Sequence, residues 1–185
     1  MKAIKFLSIL ATTAVLFSCS DDDDADTPEL INDEETITTM NITLTPQGGG
    51  DVVEFTYVDL DGDGPNAPEV SAPDLAGGIT YVGSIELLNE SEEDPEDITE
   101  EIMEEDEEHQ LIFETTGSLN SVVVTDVDGN NNPVGLAFTL ETLTAGAASL
   151  TVYLKHEPIK PNDGTFEGSG GESEFEATFP FNITQ

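Results

Sequence analysis

The stretch "ESEFEATFPFNIT", residues 172–184, decides the fold because apolar and polar side chains alternate along it. One set is apolar: Phe175, Ala177, Phe179, Phe181 and Ile183. The other set is mostly polar, and we predict that it faces water: Glu174, Glu176, Thr178, Pro180 and Asn182. A period of two is the repeat of an extended strand with one buried face. Pro180 cannot donate to a neighbouring strand, which predicts an edge or a bulge there.

Similar alternation recurs from about residue 35 onward, and turn residues separate the segments. The clearest other examples are "TTMNITLTP", "GDVVEFTYVDL", "GITYVGSIELL", "VGLAFTLET" and "SLTVYLK". Such a series predicts an all-β fold, an Ig-like antiparallel β-sandwich of about seven to nine strands. The paired cysteines and the tryptophan of immunoglobulin domains are absent, so Ig-like describes the architecture alone.

One acidic segment, "EDPEDITEEIMEEDEEHQ" at residues 93–110, lacks the period of two. Asp94 is a suitable N-cap and Pro95 suits the first helical turn. Ile98 and Ile102 lie four residues apart with Met103 beside them, which gives a narrow apolar stripe. We predict one short acidic helix across an end of the sandwich. The alternative is fraying, because residues 104–108 would place acids at the negative end of the helix dipole.

The first eighteen residues have the layout of an export signal. Lys2 and Lys5 precede an apolar run that is too short to span a membrane. The run ends in "LFSC", which resembles the lipobox of bacterial lipoproteins. That resemblance implies cleavage before Cys19 and attachment of a diacylglycerol to its thiol. A plain secretory signal with an incidental cysteine is the alternative.

The segment after the cysteine extends this resemblance. "SDDDD", residues 20–24, resembles the acidic tract that follows the lipidated cysteine in Bacteroidetes lipoproteins of the outer membrane surface. Residues 19–34 are acid-rich and aperiodic, which predicts a disordered tether. The predicted organisation is a signal peptide at 1–18, a tether at 19–34 and a single domain at 35–185. The implied location is the cell outer membrane, lipid-anchored and surface-exposed.

The charge balance excludes one class of partner. The chain has 40 acidic residues, no arginine and a net charge of −36. Removal of residues 1–18 would take away Lys2 and Lys5, leaving Lys155 and Lys160 as the only lysines. Nucleic acid binding depends on basic contacts to phosphate, so no nucleic acid partner is expected. Cations and cationic partners are favoured instead.

The first candidate binding segment is "DLDGDGPNAPE", residues 59–69. Asp59, Asp61 and Asp63 alternate as in the opening of an EF-hand calcium loop, and calcium takes about six to eight oxygen ligands. The loop's twelfth position, however, is Val70, and Glu69 comes one place early. The open alternatives are a calcium loop of another kind, built by these aspartates and Glu69, and a polar turn after a strand.

The second candidate is "TDVDGNNNPVG", residues 125–135, in which Asp126, Asp128 and Asn130 have similar spacing. Asp128-Gly129 between two apolar runs is also a hairpin signal, and the turn is the favoured interpretation. The sequence therefore predicts a hairpin turn here rather than a calcium site.

The third candidate is the long connection that begins at "YLKHEPIK". Lys155 and Lys160 flank His156 and Glu157, and this group could seat an anion or pair with a protein carboxylate. His156 could also join a metal site with His109 or with a nearby glutamate, Glu157 or Glu172. The plainer alternative is a loop held by internal ion pairs.

Catalytic motifs are missing from the sequence. No G-x-S-x-G, H-E-x-x-H or phosphate-binding loop is present, and carboxylate pairs carry no information in so acidic a chain. We therefore predict that the protein is not an enzyme. A metal-assisted activity around His109, His156 and Glu157 is the alternative.

Several longer segments resemble a group of small flavobacterial lipoproteins. They are "TLTPQGGGDVVEFTYVDLDGDGPNAPEV", "LLNESEEDPEDITEEI", "HEPIK" and "GGESEFEATF". Some members are labelled as type 1 periplasmic binding folds, but that two-lobed α/β fold needs about twice this length and repeated βα units. The resemblance implies a surface lipoprotein that presents a β-sandwich binding module to an unidentified ligand or protein partner. A calcium-stabilised module for adhesion or glycan binding is the alternative function.

Overall fold

The computed structural model describes residues 36–62, 64–91 and 93–185. The predicted signal peptide, the tether with Cys19, and the candidate ligand Asp63 lie outside the described residues. The described strands are β1 (Thr39–Pro46), β2 (Val53–Val58), β3 (Glu69–Ser71), β4 (Leu75–Ala76), β5 (Thr80–Asn89), β6 (Glu96–Asp97), β7 (His109–Gly117), β8 (Val123–Val124), β9 (Ala137–Glu141), β10 (Gly146–His156) and β11 (Glu172–Thr184). The described helices are α1 (Ile98–Glu104) and α2 (Phe166–Ser169).

The strands form two sheets, and the predicted all-β sandwich is confirmed. The larger sheet has the order β3-β2-β1-β5-β9-β8, with β6 paired to β5. The smaller sheet has the order β4-β11-β10-β7, and its β4–β11 pairing is parallel. Strands β4, β6 and β8 have two residues each, too few for an alternating pattern to reveal them.

The core lies between the two sheets, where aromatic rings from both meet. Phe55 of β2 contacts Phe179 and Phe181 of β11, with ring centroids 5.7 and 4.9 Å apart. Phe113 of β7 and Phe138 of β9 pack with centroids 4.9 Å apart. These tilted aromatic contacts join the sheets through the apolar faces that the alternation predicts.

Strand β11 confirms the predicted inward and outward sets along most of its length. The inward set is buried: Phe175, Ala177, Phe179, Phe181 and Ile183. Pro180 is exposed, and within the part of the chain that the structure describes, the far side of β11 pairs with β4 at Ile183 and Thr184 alone. Pro180 therefore lies on a free edge, as its missing N–H group requires.

The acidic helix exists, but its predicted start at Asp94 is wrong. Helix α1 begins at Ile98, and the Asp97 carboxylate accepts a hydrogen bond of 3.0 Å from the backbone N–H of Thr99. The preceding residues pair with β5 as strand β6, which excludes them from the helix. Ile98 and Ile102 are buried as predicted, whereas Met103 is 60% exposed, because adjacent helical residues point about 100° apart.

Candidate functional site

The two histidines meet at the end of the smaller sheet where β10 ends and β7 begins. Antiparallel pairing places His109 of β7 directly opposite His156 of β10. Their rings stack with centroids 5.0 Å apart and planes inclined by 17°. Both residues are buried. The predicted pairing of His156 with His109 is therefore present in the fold.

Glu174 is the third member of this cluster, and its predicted exposure to water is wrong. Leu154 pairs with Phe175, and the next residue of β10, Lys155, pairs with Ser173. One step along β10 therefore corresponds to two residues of β11. Glu174 is the additional residue of this β-bulge, and its side chain is only 2% exposed. Bulges re-aim side chains, and this one turns the carboxylate toward the histidines.

The three side chains bring their polar atoms close together. Glu174 Oε1 lies 3.3 Å from His156 Nδ1, and Glu174 Oε2 lies 3.7 Å from His109 Nε2. One ligand atom from each residue lies within 4.8 Å of the other two. Imidazole nitrogen and carboxylate oxygen are both ligands of transition metals, so this His–His–Glu cluster has the composition of a metal site.

The ring of His109 is held in one tautomer. Its Nδ1 lies 3.3 Å from the carbonyl oxygen of Glu105. A carbonyl only accepts, so Nδ1 carries the proton and Nε2 presents a lone pair toward Glu174. Among the described residues, Nε2 has no hydrogen-bond partner although it is buried.

Burial also sets the protonation state of His109. Desolvation lowers the pKa of this imidazole below its usual value. The Glu105 carbonyl raises the pKa in part, and the neighbouring His156 lowers it further. The neutral form is therefore favoured at neutral pH, and this is the form that binds metal ions.

Lys160 contacts the cluster through the backbone of His109 and also forms an ion pair with Asp128. Its Nζ donates to the backbone carbonyls of Asp106 and His109, the latter over 2.7 Å, and lies 3.2 Å from Asp128 Oδ2. Both charged side chains are buried, at 6% exposure for Lys160 and 0% for Asp128. Of the alternatives that the sequence left open for Lys160, the structure contains the pairing with a protein carboxylate.

Asp128 organises the hairpin between β8 and β9, as the turn interpretation predicts. Its Oδ1 accepts from the backbone N–H groups of Asn130 and Asn132 over 2.9 and 2.8 Å. Burial alone would raise the pKa of Asp128, but hydrogen bonds from Asn132, Lys160 and Asn130 outweigh burial and lower it. Asp126 likewise accepts from two backbone N–H groups, those of Gly135 and Leu136.

The remaining predicted residues of the long connection lie outside the cluster. Lys155 is buried, with its Nζ 4.7 Å from the Phe166 ring centroid and hydrogen-bonded to the Gly171 carbonyl. Glu157 and Glu172 are both exposed, and neither belongs to the His–His–Glu cluster. The predicted ligand choice among nearby glutamates therefore missed Glu174. A bulge shows in the sequence when it shifts the alternation of apolar and polar residues. Positions 172–174 are all polar, so no shift is visible there.

The predicted calcium segment forms a separate surface cavity of about 320 Å³. Asp59, Asp61 and Glu69 line it together with Asn66. The Asp61 carboxylate accepts a hydrogen bond of 2.6 Å from the Asn66 side chain. Three of the four predicted ligands thus line one cavity, while Asp63 is outside the described residues.

In comparisons with known proteins, no family model, curated protein or solved structure matches this chain. The likeness to flavobacterial lipoproteins stays a prediction carried by the segments quoted above. Within the described residues, no helix combines the length and the apolar content that crossing a membrane demands.

Proposed function

We propose that this protein is a non-enzymatic lipoprotein of the outer membrane, and that its β-sandwich is a binding module. One observation carries the proposal: every lysine and histidine after Lys5 is gathered at one end of the smaller sheet. We call this region the basic end, and its residues are His109, Lys155, His156 and Lys160. At this end the described residues include the buried contacts of Lys160 with Asp128 and of both histidines with Glu174.

The energetics of the basic end support binding rather than a purely structural role. Burying charged groups such as Lys160, Asp128 and Glu174 is expensive, and a well-packed apolar substitute is often as stable or more stable. The domain nevertheless concentrates its few cations here. An open polar cavity of about 500 Å³ adjoins Lys160 and Asp128, with Glu107 on its wall. A ligand could therefore reach this end from solvent.

The sequence supplies the anchor for this proposal. Lys2, Lys5, the apolar run and Cys19 resemble a lipoprotein signal, and the acidic tract resembles the one that follows the lipidated cysteine in surface lipoproteins. Two or three acyl chains hold a protein firmly, because each buried methylene contributes about 0.8 kcal/mol. The aperiodic segment 19–34 would then carry the sandwich away from the membrane.

The Cys19→Ala variant is expected to lose both its acyl chains and its place in the outer membrane. Metabolic labelling with an alkyne-tagged palmitate, followed by membrane fractionation, measures the two losses together. Ser18→Ala is the matched control, because it keeps the thiol and a small residue before it. If Cys19→Ala carries no acyl label and is still found in the outer membrane at the wild-type level, the proposed lipid anchor is contradicted.

A calcium-stabilised module for adhesion or glycan binding is the second candidate function. It is favoured by one observation, that Asp59, Asp61 and Glu69 line the same surface cavity. Calcium takes hard carboxylate oxygens of this kind as ligands. This candidate concerns a different part of the surface from the basic end, and it can be tested separately.

Under this second function, millimolar calcium raises the melting temperature of the wild-type protein and not that of Asp61→Asn. An ion at about 100 times its dissociation constant adds about 2.7 kcal/mol to the stability of the folded state. Magnesium at equal concentration controls for general screening of the acidic surface, and Asp51→Asn controls for the loss of one exposed carboxylate. If the wild-type melting temperature is the same with and without calcium, the calcium-stabilised module is ruled out.

A further inference from the structure

We propose that His109, His156 and Glu174 bind one divalent transition-metal ion, with Zn²⁺ as the best match. The inference rests on the proposed function and deepens it, because it names the ligand class of the basic end. Two imidazole nitrogens and one carboxylate are a common ligand set for zinc. Calcium is disfavoured here because it takes oxygen ligands.

The spacing of the three side chains suits this ion. Zinc bound tetrahedrally at about 2.0–2.1 Å has ligand atoms about 3.3–3.4 Å apart. The His156–Glu174 contact of 3.3 Å and the His109–Glu174 contact of 3.7 Å involve different carboxylate oxygens, and one ligand atom from each residue lies within 4.8 Å of the other two. The two imidazole planes are inclined by only 17°, so the rings of His109 and His156 would rotate about their side-chain bonds to share one ion with Glu174.

The state of His109 points independently to a bound cation. Its Nε2 lone pair is buried and faces the Glu174 carboxylate, so two acceptor groups oppose each other. Opposed acceptors without a cation or proton between them are costly in a buried site. A metal ion at this point would satisfy the buried His109 nitrogen.

The surroundings of His109 resemble the outer shell of a metal site. Metal-binding histidines usually donate their other N–H to a carbonyl or carboxylate, which fixes the ring. His109 does this through Nδ1 to the Glu105 carbonyl, and Lys160 holds the His109 carbonyl in turn. The ring is therefore oriented before any ion arrives.

Three protein ligands leave a fourth position on a tetrahedral ion. Among these ligands, the His156 side chain is the most exposed, at 10%, so this is where solvent reaches the cluster. A water molecule or a group from an external ligand could complete the coordination there. The basic end would then bind either the ion alone or a partner through the ion.

The alternative is a proton shared between His156 and Glu174 without any metal. That arrangement explains the 3.3 Å contact but leaves the His109 nitrogen facing a carboxylate. The two states differ in one measurable property, which is stoichiometric binding of Zn²⁺. The proton-sharing state is therefore a direct outcome of the experiment below.

The experiment uses the full chain purified in detergent, stripped with a chelator and titrated with Zn²⁺ against a chromophoric competitor at high salt. High salt suppresses weak binding to the acidic surface. We expect one tight site per chain, and Co²⁺ in its place should give the intense visible absorption of tetrahedral coordination. Only weak, salt-sensitive binding in the wild type, without that absorption, would overturn the proposal.

Glu174→Gln is the decisive variant, and Glu157→Gln is its matched control. The first should weaken Zn²⁺ binding at least about tenfold, since even outer-shell changes have effects of this size. The second removes an exposed carboxylate beside His156 and should bind as the wild type does. Unchanged affinity in Glu174→Gln would overturn the site, and the wild-type Co²⁺ spectrum decides the matter if that variant does not fold.

Failure of the metal site and failure of the proposed function are distinguishable. Acyl labelling and fractionation of the Cys19 variant do not depend on any ion. A protein that is anchored but does not bind Zn²⁺ would remove this inference and leave the lipoprotein binding module in place.

Discussion

The Phe179→Ala variant is expected to lose about 3–5 kcal/mol of unfolding free energy. Phe179 is fully buried on β11, and its ring packs against Phe55 of the opposite sheet with centroids 5.7 Å apart. Truncation removes apolar burial and leaves a cavity between the sheets, where neither sheet can easily collapse. Urea denaturation at constant salt measures the loss as a lower midpoint with an unchanged slope.

Glu176→Ala is the control for this prediction, because it makes the same replacement on the same strand. Glu176 is exposed, so its truncation is expected to change the stability by no more than about 0.5 kcal/mol. Comparable losses in the two variants would show that β11 does not have the register described, since a slip of one residue exchanges its faces.

Lys160→Met is expected to lose a similar amount, about 3–5 kcal/mol, for an electrostatic reason. Removal of the ammonium group leaves the Asp128 carboxylate buried without its countercharge and removes the hydrogen bonds to the Asp106 and His109 carbonyls. Lys155→Met is the matched control. Lys155 contacts the Phe166 ring and one carbonyl, so its replacement should cost only about 1–2 kcal/mol.

The loss in Lys160→Met should depend on pH. The folded-state pKa of Asp128 lies below its ordinary value of 3.8, so its charged form contributes stability at all higher pH values. That contribution disappears as the pH falls below 3.8 and through the folded-state pKa. The stability gap between wild type and variant should therefore narrow in this range. A gap that stays constant down to about pH 2 would contradict the assigned role of the ion pair.

The sequence predicted the sandwich well because strands with one buried face carry their own signature. Residues 175–183 alternate so regularly that burial on β11 follows directly from the pattern. The start of α1 was harder, because Asp94 and Asp97 both suit an N-cap and only tertiary pairing decides between them. Strand β6 takes up the residues just before Ile98, and that long-range contact overrides the local preference.

The candidate site was predicted in part. His109 and His156 were proposed as partners, but their alignment depends on the pairing of β7 with β10, which no local pattern fixes. The period of two, extended through the polar residues 172–174, predicts that Glu174 faces water. A bulge at Ser173 and Glu174 interrupts that period without any change in hydrophobicity. The place of Glu174 in the cluster is therefore visible only in the structure.

The intact mass of the mature protein extracted from outer membranes tests the central claim, that Cys19 anchors the sandwich at the cell surface. We expect a chain that begins at Cys19 and carries a diacylglycerol together with an amino-terminal acyl chain. A chain that begins at another residue, or one with an unmodified thiol at Cys19, would contradict the account.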